Sequence, residues 1–221
     1  MSADLVAAVK PHLRGWIHTV TAPLALIAGA VLIWVAPSDK AKIAALIFVL
    51  TAVQLFGTSA IYHRGHWSPR VHQVLKRLDH ANIFLIIAGS YTPFAALLLE
   101  EGTARTLLWI VWAGALAGMA FRVFWVHAPR WLYTPMYVAL GWVAVFYFAP
   151  LAKTGGPLVM TLLTVGGVLY TLGAVVYGLR RPDPAPKWFG FHEIFHVFTV
   201  LAFLAHFTAV SLIVVGSPAL A

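Results

Sequence analysis

The chain has no cysteine, which excludes disulfides and thiolate metal sites; any bound metal must rest on histidine or carboxylate ligands. It is also short of charge. Charged residues make up 10% of the 221 positions, and only 7 residues are acidic, where a soluble domain carries about 25% charge. So few charges could not clothe the surface of a water-soluble fold of this size, and with 61% hydrophobic residues the chain reads as an integral membrane protein. The formal charge of +8 does not indicate nucleic-acid binding, because the basic residues fall in short gaps between apolar runs and there set membrane orientation. Internal repeats, low-complexity tracts and a separate soluble domain are lacking as well. The first apolar run has no small-residue cleavage site after it and further spans follow, so it is expected to remain in the chain.

What is abundant is hydrocarbon-length sequence. A spanning helix needs about 20 mostly apolar residues, and seven stretches qualify: 17–36, 41–62, 81–99, 106–125, 132–150, 157–179 and 194–216. The expected fold is therefore all-α, a seven-transmembrane helix bundle forming a single domain over residues 1–221. The gaps are short, and only 180–190 (RRPDPAPKWFG) has the Pro-rich, charged character of a loop. If the N-terminus is cytoplasmic, the inner segments hold Lys10, Arg14, Arg64, Arg70, Lys76, Arg77, Arg122, Arg130, Arg180, Arg181 and Lys187. The outer ones hold Lys40, Lys42, Arg105 and Lys153. This bias predicts the N-terminus inside and the C-terminus outside.

Unusual residues gather on the cytoplasmic side of that topology. Ser59 and His63 lie four apart at the end of the second span and share a helix face, Asp79 and His80 open the third, and His192 and His196, again four apart, open the seventh. Ionisable groups at span ends are costly in hydrocarbon and pair or line a cavity. Histidines and an aspartate at one depth, two of the histidines at i, i+4, suit Zn²⁺, with three protein ligands leaving a fourth position for water. Zinc lowers the pKa of a bound water to about 7 and polarises a carbonyl. A carboxylate that is not a ligand can orient that water and take its proton, a role that fits Asp79. Ser59 either donates a hydrogen bond to the oxyanion or back-bonds to its own helix.

Other readings of these residues exist. His192–Glu193–Ile194–Phe195–His196 matches the H-E-x-x-H pattern of zinc proteases, in which Glu193 would be the base. Intramembrane proteases of that kind take a third ligand from an aspartate in a Pro/Gly-interrupted motif, whereas this chain offers R-L-D-H and His63. A bis-histidine haem site on His192, His196 and His206 fails on distance, since His206 lies about 15 Å further along the helix axis. His206 is expected to hydrogen-bond inside the bundle or line a cavity. His18, His66, His72 and His127 are expected to be solvated or interfacial, and the nine tryptophans to anchor at the interfaces.

The segments SAIYH (59–63), RLDHANIFLIIAGSYTPF (77–94) and HEIFHVFTVLAFLAHF (192–207) resemble the hemolysin III family. That family is the bacterial branch of the progestin and adipoQ receptor group, within a superfamily of membrane hydrolases that includes alkaline ceramidases. The resemblance implies zinc on His63, His192 and His196, with Asp79 approaching the metal through water. It also implies a lipid-accessible cavity in a seven-helix bundle of the bacterial inner membrane. The implied function is zinc-dependent hydrolysis of a membrane lipid, a ceramide-like amide first among candidates, in membrane lipid homeostasis. A non-catalytic, zinc-containing sensor of lipid or membrane state is the alternative. The segment before Ile17 is too short for the long extension of the animal receptors, and the outer gaps are only a few residues long, which disfavours a hormone receptor.

Overall fold

The computed structural model describes residues 11–125 and 127–216; Lys10, counted among the inner cations, lies outside the described residues. The described chain is helical, in the order α1 (Trp16–Val35), α2 (Asp39–Arg64), α3 (Pro69–Leu98), α4 (Glu101–Phe124), α5 (Arg130–Gly141), a 3₁₀ segment (Trp142–Tyr147), α6 (Phe148–Leu179) and α7 (Phe191–Val215). Among the described residues there is no strand, only an isolated bridge between Ala185 and Phe189. Among the described residues, six helical stretches are long and apolar enough to cross a bilayer, with Arg130–Leu179 taken as one stretch of 50 residues.

That stretch is not straight. As one rod it would measure about 75 Å, more than twice the roughly 30 Å of hydrocarbon in a bilayer. The break falls at Gly156, whose φ of 70° and ψ of 171° belong to a backbone region essentially reserved for glycine. Past it, the chain folds back on itself. Arg130 Nη1 donates to the Tyr177 carbonyl at 3.2 Å, and Trp142 Nε1 donates to Thr171 Oγ1 at 2.9 Å. The partner number falls as the residue number rises, so the two legs run antiparallel.

Neighbours in sequence pack as neighbours in space, α1 on α2, α2 on α3, α3 on α4 and α6 on α7, and α7 returns to α1 and α3 to close the bundle. The exterior is apolar, with Trp34, Trp109, Phe124 and Phe146 exposed, as a lipid-facing surface requires. Polar side chains also tie helix to helix. Gln54 Nε2 donates to Asn82 Oδ1 at 3.1 Å and Asn82 Nδ2 returns a bond to the Gln54 carbonyl at 3.2 Å, tying α2 to α3.

Helix ends decide where the functional groups sit. Ser38 Oγ accepts from Ala41 N at 3.2 Å and starts α2. Proline at the first position starts α3 at Pro69, well before the predicted apolar run at 81. At 30 residues, α3 is about 45 Å long, more than the hydrocarbon thickness, and its basic first turns, with Arg70, Lys76 and Arg77, precede Asp79 and His80. The end of α2, this level of α3 and the start of α7 all lie at the same end of the bundle.

Candidate metal centre

His63 is buried in the last turn of α2, and His192 and His196 sit in the first two turns of α7, on the face that the i, i+4 spacing predicts. Residues 129 positions apart in the chain meet here: His63 Nε2 and His192 Nε2 are 3.2 Å apart. One ring nitrogen from each of His63, His192 and His196 lies within 4.8 Å of the others. Tetrahedral zinc with Zn–N bonds of about 2.0–2.1 Å holds its ligand nitrogens about 3.3 Å apart, so the His63–His192 pair already has nearly that separation. His196 Nδ1 is buried without a hydrogen-bond partner, and a buried nitrogen of this kind calls for a ligand, an ion or a water. The donor set, three imidazoles and no thiolate, fits zinc.

Asp79 approaches from α3. Its Oδ2 stands 3.8 Å from His63 Nε2 and 3.9 Å from His80 Nδ1, beyond hydrogen-bond length and at a spacing that a water bridges. Ser59, one turn before His63, is also buried. Its hydroxyl makes no hydrogen bond within normal limits and lies in weaker polar contact with Asp79. It does not back-bond to its helix as Ser90, Thr92 and Ser211 do. The five residues singled out in the sequence, Ser59, His63, Asp79, His192 and His196, therefore converge on one place.

His80 is not free to join them. Its Nδ1 lies 2.7 Å from the Lys76 carbonyl and its Nε2 3.2 Å from the Tyr177 hydroxyl. Because a carbonyl can only accept, Nδ1 carries the hydrogen and Nε2 accepts from Tyr177. Tyr177 also meets the Tyr133 hydroxyl at 3.2 Å, and Tyr137 donates to the His80 carbonyl at 3.2 Å. This tyrosine network was not anticipated. It braces the α3 side of the centre against α5 and α6.

Glu193 does not face the centre either. It is completely buried; Oε2 accepts from the main-chain N of Gly190 at 2.8 Å, capping α7, and Oε1 is ion-paired with Arg14. Both oxygens are engaged in holding the start of α7 to the chain entering α1. That chain is pinned a second time, since His12 N and Leu13 N donate to the carbonyls of Lys187 and Trp188 at 3.0 and 3.2 Å. The H-E-x-x-H match thus combines two histidines with a structural glutamate.

One expectation is corrected. His18, expected to be solvated or interfacial, is 2% exposed and stacks on His196, with ring centroids 3.8 Å apart and planes 12° from parallel. An ion in the plane of the His196 ring lies well off the plane of His18, so the stack makes His18 a support of the ligand ring rather than a further ligand. It gets there because α1 enters at Gly15, with φ of 84°, so close that a β-carbon would stand 2.6 Å from His63 Cβ. A signal was present in the sequence. His18, Ala25, Gly29 and Leu32 are the buried residues of α1 and share one helical face, on which the small Gly29 and Ala25 already mark the side packed on α2.

A cavity of about 320 Å³ leads away from the centre. Ser59, Asp79, His192 and His196 lie at one end, and the walls are apolar, with Leu55, Ile83, Ile86, Phe94, Leu151 and Leu163 among them. His206 lines it further along and, as anticipated, hydrogen-bonds within the bundle, to the Leu163 carbonyl at 3.2 Å. Trp142, Val145 and Phe148 line the cavity while being exposed on the outer surface, so it opens sideways between the 3₁₀ segment and α6.

Comparison with known proteins gives the family. The sequence model of the family described as "Haemolysin-III related" matches residues 6–207. The chain belongs to the hemolysin III family. It is 32% identical over 161 residues to Hemolysin-3 of Bacillus cereus, covering 73% of this chain and 70% of the relative. It is 34% identical over 131 residues to the Hemolysin-3 homolog of Bacillus subtilis (strain 168), covering 59% of this chain and 61% of that relative. The hemolysin III match, residues 6–207, includes every residue of the centre.

Proposed function

We infer that this hemolysin III protein is a zinc-dependent hydrolase of membrane lipids, acting first of all on the amide bond of a ceramide-like lipid and so contributing to membrane lipid homeostasis. One observation carries the inference: three imidazoles, a carboxylate and a buried hydroxyl meet at the end of an apolar cavity that opens to the lipid side. His63, His192 and His196 would hold the ion. Zinc bound there supplies Lewis acidity, which activates water near neutral pH and polarises a carbonyl.

The chain's own groups supply the rest. Asp79 Oδ2 orients the attacking water and takes its proton as the water oxygen bonds to the carbonyl carbon; the same proton then passes to the leaving nitrogen as the C–N bond breaks. Ser59 Oγ donates to the carbonyl oxygen while it gains charge. The apolar walls hold the acyl chain and keep bulk water out, which strengthens both hydrogen bonds. His18 holds the plane of His196, and the Arg14–Glu193 pair fixes the first turn of α7.

We also propose that the chain crosses the bacterial inner membrane seven times, N-terminus in the cytoplasm and C-terminus outside. The fold-back at Gly156 supports two crossings within Arg130–Leu179, and the bias of lysine and arginine to one side supports the direction. The centre would then face the cytoplasmic leaflet.

The test is turnover of N-acyl sphingoid and related lipids by purified protein, with Asp79→Asn beside wild type. The variant should keep its zinc and its fold and lose on the order of 10²–10⁴-fold in rate. If wild type hydrolyses no lipid in a broad panel of amides and esters, the centre belongs to a sensor instead.

A further inference from the structure

Far from the histidine end, the cavity carries polar atoms that the proposed hydrolysis does not use. His206 of α7 is buried in the middle of its helix, a position where an ionisable residue in a membrane points to function. Ten residues separate it from His196, about 15 Å along the axis. Its ring sits in a notch cut for it: a β-carbon on Gly166 would stand 2.2 Å from His206 Cδ2 and 2.4 Å from Nε2. Tyr170, one turn beyond Gly166 on α6, places its ring 5.6 Å from that of His206 at 64°.

The hydrogen-bond inventory shows what this pair lacks. His206 Nε2 faces the Leu163 carbonyl at 3.2 Å; a carbonyl only accepts, so Nε2 carries the hydrogen and Nδ1 of the neutral ring is an acceptor. That Nδ1 and the Tyr170 hydroxyl are both buried with no partner. Other polar groups along this part of the cavity are spent. Ser90, Thr164, Thr171 and Thr199 donate to carbonyls of their own helices, and Tyr91 bonds to the main chain of Gly141 and Ala144. Thr134 Oγ1 is also unpartnered, but it lies beside Gly178, towards the histidine end.

We propose that His206 and Tyr170 form a subsite for a hydroxyl group on the hydrocarbon chain of the bound lipid. The hydroxyl donates to His206 Nδ1 and accepts from Tyr170 Oη. A ketone, ester or ether oxygen can only accept and leaves Nδ1 unpaired, and a carboxylate at this depth meets no cation, whereas a hydroxyl both donates and accepts and so satisfies both atoms from a single oxygen. The ligand class is a lipid with a mid-chain hydroxyl about 15 Å from the group held at the histidine end. The proposal rests on the reading of the cavity as a lipid site but not on catalysis there.

The experiment uses ricinoleic and oleic acids, which differ by one mid-chain hydroxyl and contain no bond to hydrolyse. Each displaces a fluorescent fatty acid from purified full-length protein in nanodiscs. Two hydrogen bonds predict that wild type prefers ricinoleic acid about tenfold. Tyr170→Phe, which removes one oxygen, should cut the preference to about threefold, and His206→Phe should abolish it. Equal affinity for the two acids in wild type overturns the proposal and leaves the pair to a buried water. An undiminished preference in Tyr170→Phe overturns it too, as does absence of saturable binding by either acid. Hydroxyl selectivity without any lipid turnover would uphold the subsite while ending the hydrolase.

Discussion

Replacing Glu193 separates two accounts of the same five residues. In a protease-like site Glu193 is the base; in this structure it is a clamp. Its carboxylate caps α7 through Gly190 and pairs with Arg14, whose side chain is 19% exposed against 1% for Glu193. Removing one partner of a buried pair costs about 3–5 kcal/mol, and the lower end applies because Arg14 can still reach water. Loss of the cap adds about 1 kcal/mol. Glu193→Ala should therefore destabilise the protein by about 4 kcal/mol. Glu193→Gln keeps an oxygen for Gly190 and loses only the charge assistance, a cost of about 1–2 kcal/mol. Reversible unfolding in mixed micelles measures both, with zinc content and lipid turnover measured on the same samples. Glu193→Gln should be less stable yet keep its zinc and most of its turnover below its unfolding transition. A variant as stable as wild type, loaded with zinc and catalytically dead would refute the clamp and restore the base.

Three further predictions follow from the geometry. His18→Ala removes the stack on His196 and should weaken zinc binding about tenfold in competition with a chelator, as loss of a support around a ligand commonly does; His18→Phe keeps a ring there and should retain most of the affinity. Gly156→Ala forces a β-carbon into the fold-back and should cost about 1–3 kcal/mol in the same unfolding assay, with zinc unchanged because the bend lies far from the histidines. Reporter fusions after Arg130, Lys153 and Leu179 should read inside, outside and inside; the same side at all three would contradict two crossings in that stretch.

How much of this could be seen beforehand differs by residue. The apolar runs mark the helices because backbone polar groups in hydrocarbon must be satisfied within the segment, and the i, i+4 pairs mark faces because helix geometry is local. Span counting puts His63, Asp79 and His192 at a common end of the bundle, but their approach to within a few ångströms depends on how α2, α3 and α7 pack, which no local pattern carries. His18 escaped because one histidine near a helix start carries the same signal whether it snorkels to the interface or turns inward. Only its register with Ala25 and Gly29 distinguishes them. Glu193 was misleading for the opposite reason. Its local pattern is that of a catalytic motif, and its role is set by Arg14, 179 residues away. The stretch LAKTGG (151–156) reads as a gap between spans, and the chain folds back within it at Gly156, with helix on both sides.

Metal analysis of the purified protein tests the centre most directly. Wild type prepared in zinc-supplemented medium should contain about one zinc per chain by inductively coupled plasma mass spectrometry, and the combined His63→Ala, His192→Ala and His196→Ala variant, still helical by circular dichroism, should contain none. Zinc retained by that variant, or a wild type that takes up no divalent metal, would contradict a site built from these three imidazoles.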